Sequence, residues 1–134
     1  LSVSTSTSFN NEGLIDVTSM ITLNLFGGGI NQGIIRSVGD INIYGSIFEH
    51  RSGEITAVRF DLQTDEAQLS AKIVGQEAFF HGKTHVSGDV SFQHGVVDGI
   101  FVNRSNNLTF AQILELTGEK VKSKTTELCQ RMKS

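Results

Sequence analysis

The 134-residue chain reads as an all-β protein, a parallel β-helix or solenoid of about five coils with an α-helical cap at its C-terminal end. Three observations lead there. Gly13, Gly33, Gly53, Gly75 and Gly95 recur at a near-constant interval of about 20 residues, slightly longer only between Gly53 and Gly75. Between them apolar and polar residues alternate with period two, the mark of strands with one buried face. The chain also holds 14 Gly and no Pro, so it turns through Gly and Asn. In a continuous stack of parallel strands nearly every N–H donates to a neighbouring coil, and a Pro would delete that donor.

The repeat units read NNEGLIDV, INQGIIRSV, HRSGEITAV, IVGQEAF and QHGVVDGIFV. In the first three, Ile15, Ile35 and Ile55 stand two positions after the Gly, with Val17, Val38 and Val58 beyond. Turn-forming residues precede it: Asn10 and Asn11, Asn31 and Gln32, and His50 to Ser52. The five glycines are the predicted structural corners, where a turn repeated in register needs positive φ or close backbone approach. A shorter unit, Gly39-Asp40-Ile41-Asn42-Ile43, returns as Gly88-Asp89-Val90-Ser91-Phe92. Gly27-Gly28-Gly29 lacks the Lys-Ser/Thr of a phosphate-binding loop and reads as a wide corner.

The strands are short. Ile21, Leu23 and Leu25 alternate with Thr22 and Asn24; Ile41 and Ile43 flank Asn42; Val58, Phe60 and Leu62 flank Arg59 and Asp61. Leu69, Ala71 and Ile73, then Val90 and Phe92, then Ile100 and Val102 continue the series. Two or three such strands cannot close a core alone, but they can stack on an equivalent coil above and below. At about 4.8 Å per coil, five coils make a rod roughly 24 Å long. A sandwich or small barrel is the competing all-β reading, and it supplies no reason for so regular a glycine spacing.

The units FNNEGLIDV, GINQGIIRSVGDINIYGSI and HRSGEITAVRFDL resemble the repeats of filamentous haemagglutinin-type exoproteins, the secreted partners of bacterial two-partner secretion. The resemblance covers residue 9 to about residue 102 and loosens after Asp65, where an irregular coil or loop is expected near Thr64 to Gln68. It implies a right-handed parallel β-helix, a secreted or cell-surface bacterial location, and work in adhesion or toxin presentation without catalysis. The family's secretion domain carries an Asn-Pro-Asn signature, which a chain without Pro does not have. Two further classes stay in view: a self-assembling scaffold resembling the bactofilins, and a polysaccharide-acting enzyme on the same fold.

From Leu108 the composition shifts to Leu, Lys, Glu, Gln and Thr, so residues 1–107 form the repeat region and 108–134 a cap or linker. Thr109 and Gln112 have capping-box spacing, Phe110, Ile113 and Leu114 make a helical apolar face, and Gly118 ends it. A second helix is expected over 119–133, with Val121, Leu128 and Met132 on one side. It covers the last coil, links to a following domain or pairs with a partner chain. Cys129, the only cysteine, shares that apolar register and has no His or acidic partner near it in sequence. Leu1 in place of Met suggests a segment of a longer polypeptide.

Eleven basic and 14 acidic residues leave a formal charge of −3 without long runs, which argues against a nucleic-acid partner. No apolar stretch approaches the roughly 18 residues of a membrane span. His81, His85 and His94 are the candidate metal ligands; His81 and His85, four apart on a strand, would lie about 13 Å from each other, which disfavours a site unless adjacent coils bring His85 to His94. Asp40, Asp89 and Asp98 follow or precede glycines and are the candidate acids of a glycan-cleaving site, more simply turn residues. Asn103-Arg104-Ser105 and Asn107-Leu108-Thr109 match the glycosylation sequon. No catalytic residue, cofactor or metal is expected; the expected partner is a protein or glycan ligand on the surface.

Overall fold

The computed structural model describes residues 1–105 in full and the backbone of residues 108–116 and 120–123. It is a β-solenoid of about five turns in which the strand pairs are parallel. Three faces run along it. The first is built from β1 (Ser2–Thr5), β4 (Ile21–Leu25), and the early part of β7 (Asp40–His50) and β9 (Arg59–Leu69). It continues through the middle of β10 (Lys72–Val86) and β11 (Val90–Asn103) to the end of β12 (Leu108–Leu116). The second stacks β2 (Phe9–Asn11), β5 (Gly29–Asn31), the later parts of β7, β9, β10 and β11, and β13 (Lys120–Ser123). The third stacks β3 (Leu14–Val17), β6 (Ile34–Ser37), β8 (Glu54–Thr56) and the starts of β10, β11 and β12.

Alternation places the apolar rows inside. Ile21, Leu23, Leu25, Ile41, Ile43, Phe60 and Leu62 are fully buried on the first face. On the second, the inward column reads Phe9, Gly29, Phe48, Ala67, Thr84, Phe101, so large and small side chains interleave across coils, as dense packing requires. Further along, the core becomes aromatic: Phe80 lies 6.2 Å from Phe60, 6.1 Å from Phe92 and 5.4 Å from Phe101, ring centre to ring centre.

The repeat is not constant. Ile21, Ile41, Phe60, Ala78 and Gly95 are successive partners in one row, and each step between them is one residue shorter than the step before. This contraction decides where the predicted corner glycines fall. Gly13, Gly33 and Gly53 stack in one column between the second and third faces: a Cβ on Gly33 would overlap the Gly13 carbonyl, and one on Gly53 the Gly33 carbonyl. Gly53 also has φ +84°, a conformation that side chains oppose. One residue before the Glu54–Lys72 pair the column continues at Ala71, and it reaches Gly88, whose Cβ would press on the Ala71 backbone. Gly75 lies elsewhere, at the bend from the third face to the first, where a Cβ would stand 2.6 Å from the Ala57 carbonyl and 2.8 Å from the Phe92 ring. Gly95 sits within β11 in the row of Ala78 and Phe60. A constant count along the sequence drifts off the column once the coils contract.

The irregularity expected near Thr64 to Gln68 is a β-bulge, with Gln63 facing His81 and Glu66 facing Lys83. The expected helical cap is corrected. Residues 108–116 are strand β12, not a helix, with Leu108 beside Val90 and Phe110 beside Phe92, and residues 120–123 of the second expected helix are β13. Leu108, Phe110, Leu114 and Leu116 also alternate with period two, and an open coil edge offers backbone partners that an isolated helix lacks. Residues 124–134, with Cys129, lie outside the described residues.

Candidate functional site

Because inward positions are taken by the core, chemistry on a solenoid sits in the outward rows, where adjacent coils place partners about 4.8 Å apart. On the first face several outward residues engage one another. The Arg59 guanidinium lies 4.9 Å from the centre of the Phe79 ring, and Phe79 stacks on His81 at 5.7 Å. Gln63 Nε2 donates to both carboxylate oxygens of Asp61 at 3.2 Å, and His81 Nδ1 lies 3.5 Å from Asp98 Oδ2.

The histidines singled out from the sequence do not converge. His81 and His85 fall on either side of the bend at Gly82, on the first and second faces. His94 stands beside Glu77 on the first face, whereas His85 stands between Gln68 and Val102 on the second, so adjacent coils do not bring His85 to His94. Among the described residues no three His, Cys, Asp or Glu side chains are grouped to hold a metal ion. The carboxylates are equally dispersed. Asp40 faces Arg59, Asp98 faces His81, and Asp89 opens the third face, its carbonyl accepting from the Ile73 N–H at 2.9 Å. These positions bring no two of the three carboxylates together.

The second face is different. Across three successive coils, Glu66 lies beside Lys83, Gln68 beside His85, and Ser70, Ser87 and Arg104 follow at the bend. They line a surface groove of about 320 Å³. Lys83 and Arg104 are exposed, and the ion pairs formed among the described residues, Arg36–Asp16, Arg51–Glu49 and His81–Asp98, include neither.

A second polar feature lies inside. Asn11, Asn31 and His50 occupy one inward column on consecutive coils. Asn31 Oδ1 accepts from Asn11 Nδ2 at 2.9 Å and from the Gly33 N–H at 3.2 Å, so its amide nitrogen faces Gly33 O at 3.0 Å and His50 Nδ1 at 3.1 Å. His50 Nδ1 is therefore the acceptor, and Nε2 donates to the Lys72 carbonyl at 2.9 Å. Burial pushes the His50 pKa below its ordinary 6.5, against the opposing pull of the Lys72 carbonyl. The sequence carries this ladder as Asn-x-Gly, Asn-x-Gly and His-x-x-Gly, a pattern that turn formation alone explains equally well.

Comparison of the chain with protein-family models, with curated proteins and with solved structures gives no match. The haemagglutinin-type resemblance therefore stands on the repeat motif alone.

Proposed function

We propose that this chain is a non-enzymatic recognition and spacing module of a bacterial secreted or surface protein, wound as a right-handed β-helix and used in adhesion or in presenting a toxin. The observation that carries the reading is the outward chemistry. The carboxylates and histidines singled out from the sequence are dispersed or paired with neighbours, while the second face presents polar groups in regular rows. A stack of paired strands holds such rows rigidly. The test is retention of the purified chain on bacterial and host cell surfaces, run beside a screen for depolymerisation of polysaccharides. Saturable retention without cleavage is the expected result. Absence of retention, or cleavage that depends on Asp40, Asp89 or His85, overturns it.

A self-assembling scaffold is the second reading, favoured by the first coil: β1, β2 and β3 pair on one side only among the described residues. Open parallel edges are templates for another chain. Concentration-dependent filaments in sedimentation would favour the scaffold over the display module.

A further inference from the structure

We propose that the groove on the second face binds an anionic polysaccharide, with Lys83 and Arg104 holding successive carboxylate or sulfate groups and the floor between them holding hydroxyls. The inference deepens the recognition reading above and rests on it for its biological sense. Its physical basis is separate.

The two cations are diagonal to each other. Lys83 belongs to the coil before Arg104 and to a row four positions earlier along the strand, since Lys83 pairs with Ile100. Strand rise and coil spacing then separate their Cα atoms by roughly 14 Å. That is too far for one phosphate or one carboxylate to bridge, and it suits an extended chain with charges at intervals. Between them, Gln68, Ser70 and Ser87 are exposed, and none of their side chains is hydrogen-bonded to another described residue. The floor thus offers amide and hydroxyl groups of the kind that read sugar hydroxyls. Guanidinium groups fit carboxylate and sulfate oxygens in bidentate fashion, and the ammonium acts as a point charge.

Charge supports the same ligand. The chain is formally −3, yet this end of the second face is basic: Lys120 and Lys122 occupy the register positions next to Ile100 and Val102. On the acidic side, Glu49 is already held by Arg51 at 2.7 Å. Among the described residues Glu66, beside Lys83, is the one carboxylate lining the groove. On the first face charged groups are already engaged: Arg59 with the Phe79 ring, Asp61 with Gln63, and His81 with Asp98.

The experiment is calorimetric titration of the intact chain with a heparin oligosaccharide, an oligogalacturonate and a DNA duplex of equal charge. Variants are Lys83→Gln, Arg104→Gln and the pair together, with Arg36→Gln as a cation removed from another face. The expected result is binding of at least one glycan in preference to DNA, weakened tenfold or more in the double variant and less than twofold by Arg36→Gln. A heparin-only result assigns sulfate and a galacturonate-only result assigns carboxylate. Binding of neither glycan, equal binding of DNA, or equal weakening by Arg36→Gln overturns the site. Cell retention separates the two proposals: a double variant still retained on cells removes the groove and keeps the module. Glycan binding by a chain that is not retained keeps the groove and removes the module.

Discussion

Along one inward column the first three coils carry Asn11, Asn31 and His50, whereas the next two carry Leu69 and Val86 at the same place. The coils with the polar ladder are the longest and are filled mainly by Ile and Leu; the later ones contract and close over Phe60, Phe80, Phe92 and Phe101. One fold is thus held in two ways. In the early coils, side-chain amides tie each corner to the next and satisfy backbone groups that a longer turn leaves free. In the next two coils the turn is shorter, the corner position is apolar, and interlocking rings supply the cohesion, before Asn103 returns a buried amide to the same column, its Oδ1 accepting from the Ser105 N–H at 2.8 Å.

The difference is broken most strongly at Phe80, which contacts three other rings. Phe80→Ala is expected to cost about 3–5 kcal/mol, because it deletes buried area and leaves a cavity that stacked backbones cannot close. Urea unfolding followed by circular dichroism measures it. A loss under about 1 kcal/mol would mean that the later coils do not depend on their aromatic stack.

The glycine column sharpens the comparison within the early coils. Gly53→Ala is expected to cost about 2–4 kcal/mol, since it adds a positive-φ penalty to overlap with the Gly33 backbone. Gly13→Ala, in the same column, should change stability by no more than about 0.5 kcal/mol, because a Cβ there meets nothing within 4 Å. Equal losses in the two variants, measured by the same unfolding assay, would show that the motif and not the neighbouring coil sets the requirement.

Much of this architecture can be read from local pattern, because the early coils share their Gly-x-Ile corners and the same period-two strands. The later coils cannot be read this way. Their progressive shortening is a tertiary property, visible only in the strand register, and no local motif marks it. The C-terminal strand escapes a local reading for a related reason. Leu108 to Leu116 fits a helical stripe as well as an alternating strand, and only the neighbouring Val90 and Phe92 decide between them. The groove on the second face is equally hidden, because Lys83 and Arg104 stand far apart in sequence and come to line one groove only through the stacking of contracted coils.

His50 offers the last test, since it ends the polar ladder where the two regions join. Its folded-state pKa lies below the unfolded value of 6.5, so the unfolded chain binds the proton first. Stability from this residue is therefore whole above about pH 6.5 and falls as the pH drops from there toward the folded-state pKa. Protonation would put an N–H at Nδ1 against the Asn31 amide group, which reinforces the loss. Unfolding midpoints taken between pH 7.5 and 5 should decline more steeply for the parent chain than for His50→Gln, whose amide can keep one ladder bond without titrating. Parallel pH profiles for the two proteins would mean that the acid sensitivity belongs to other groups and that the end of the ladder does not titrate.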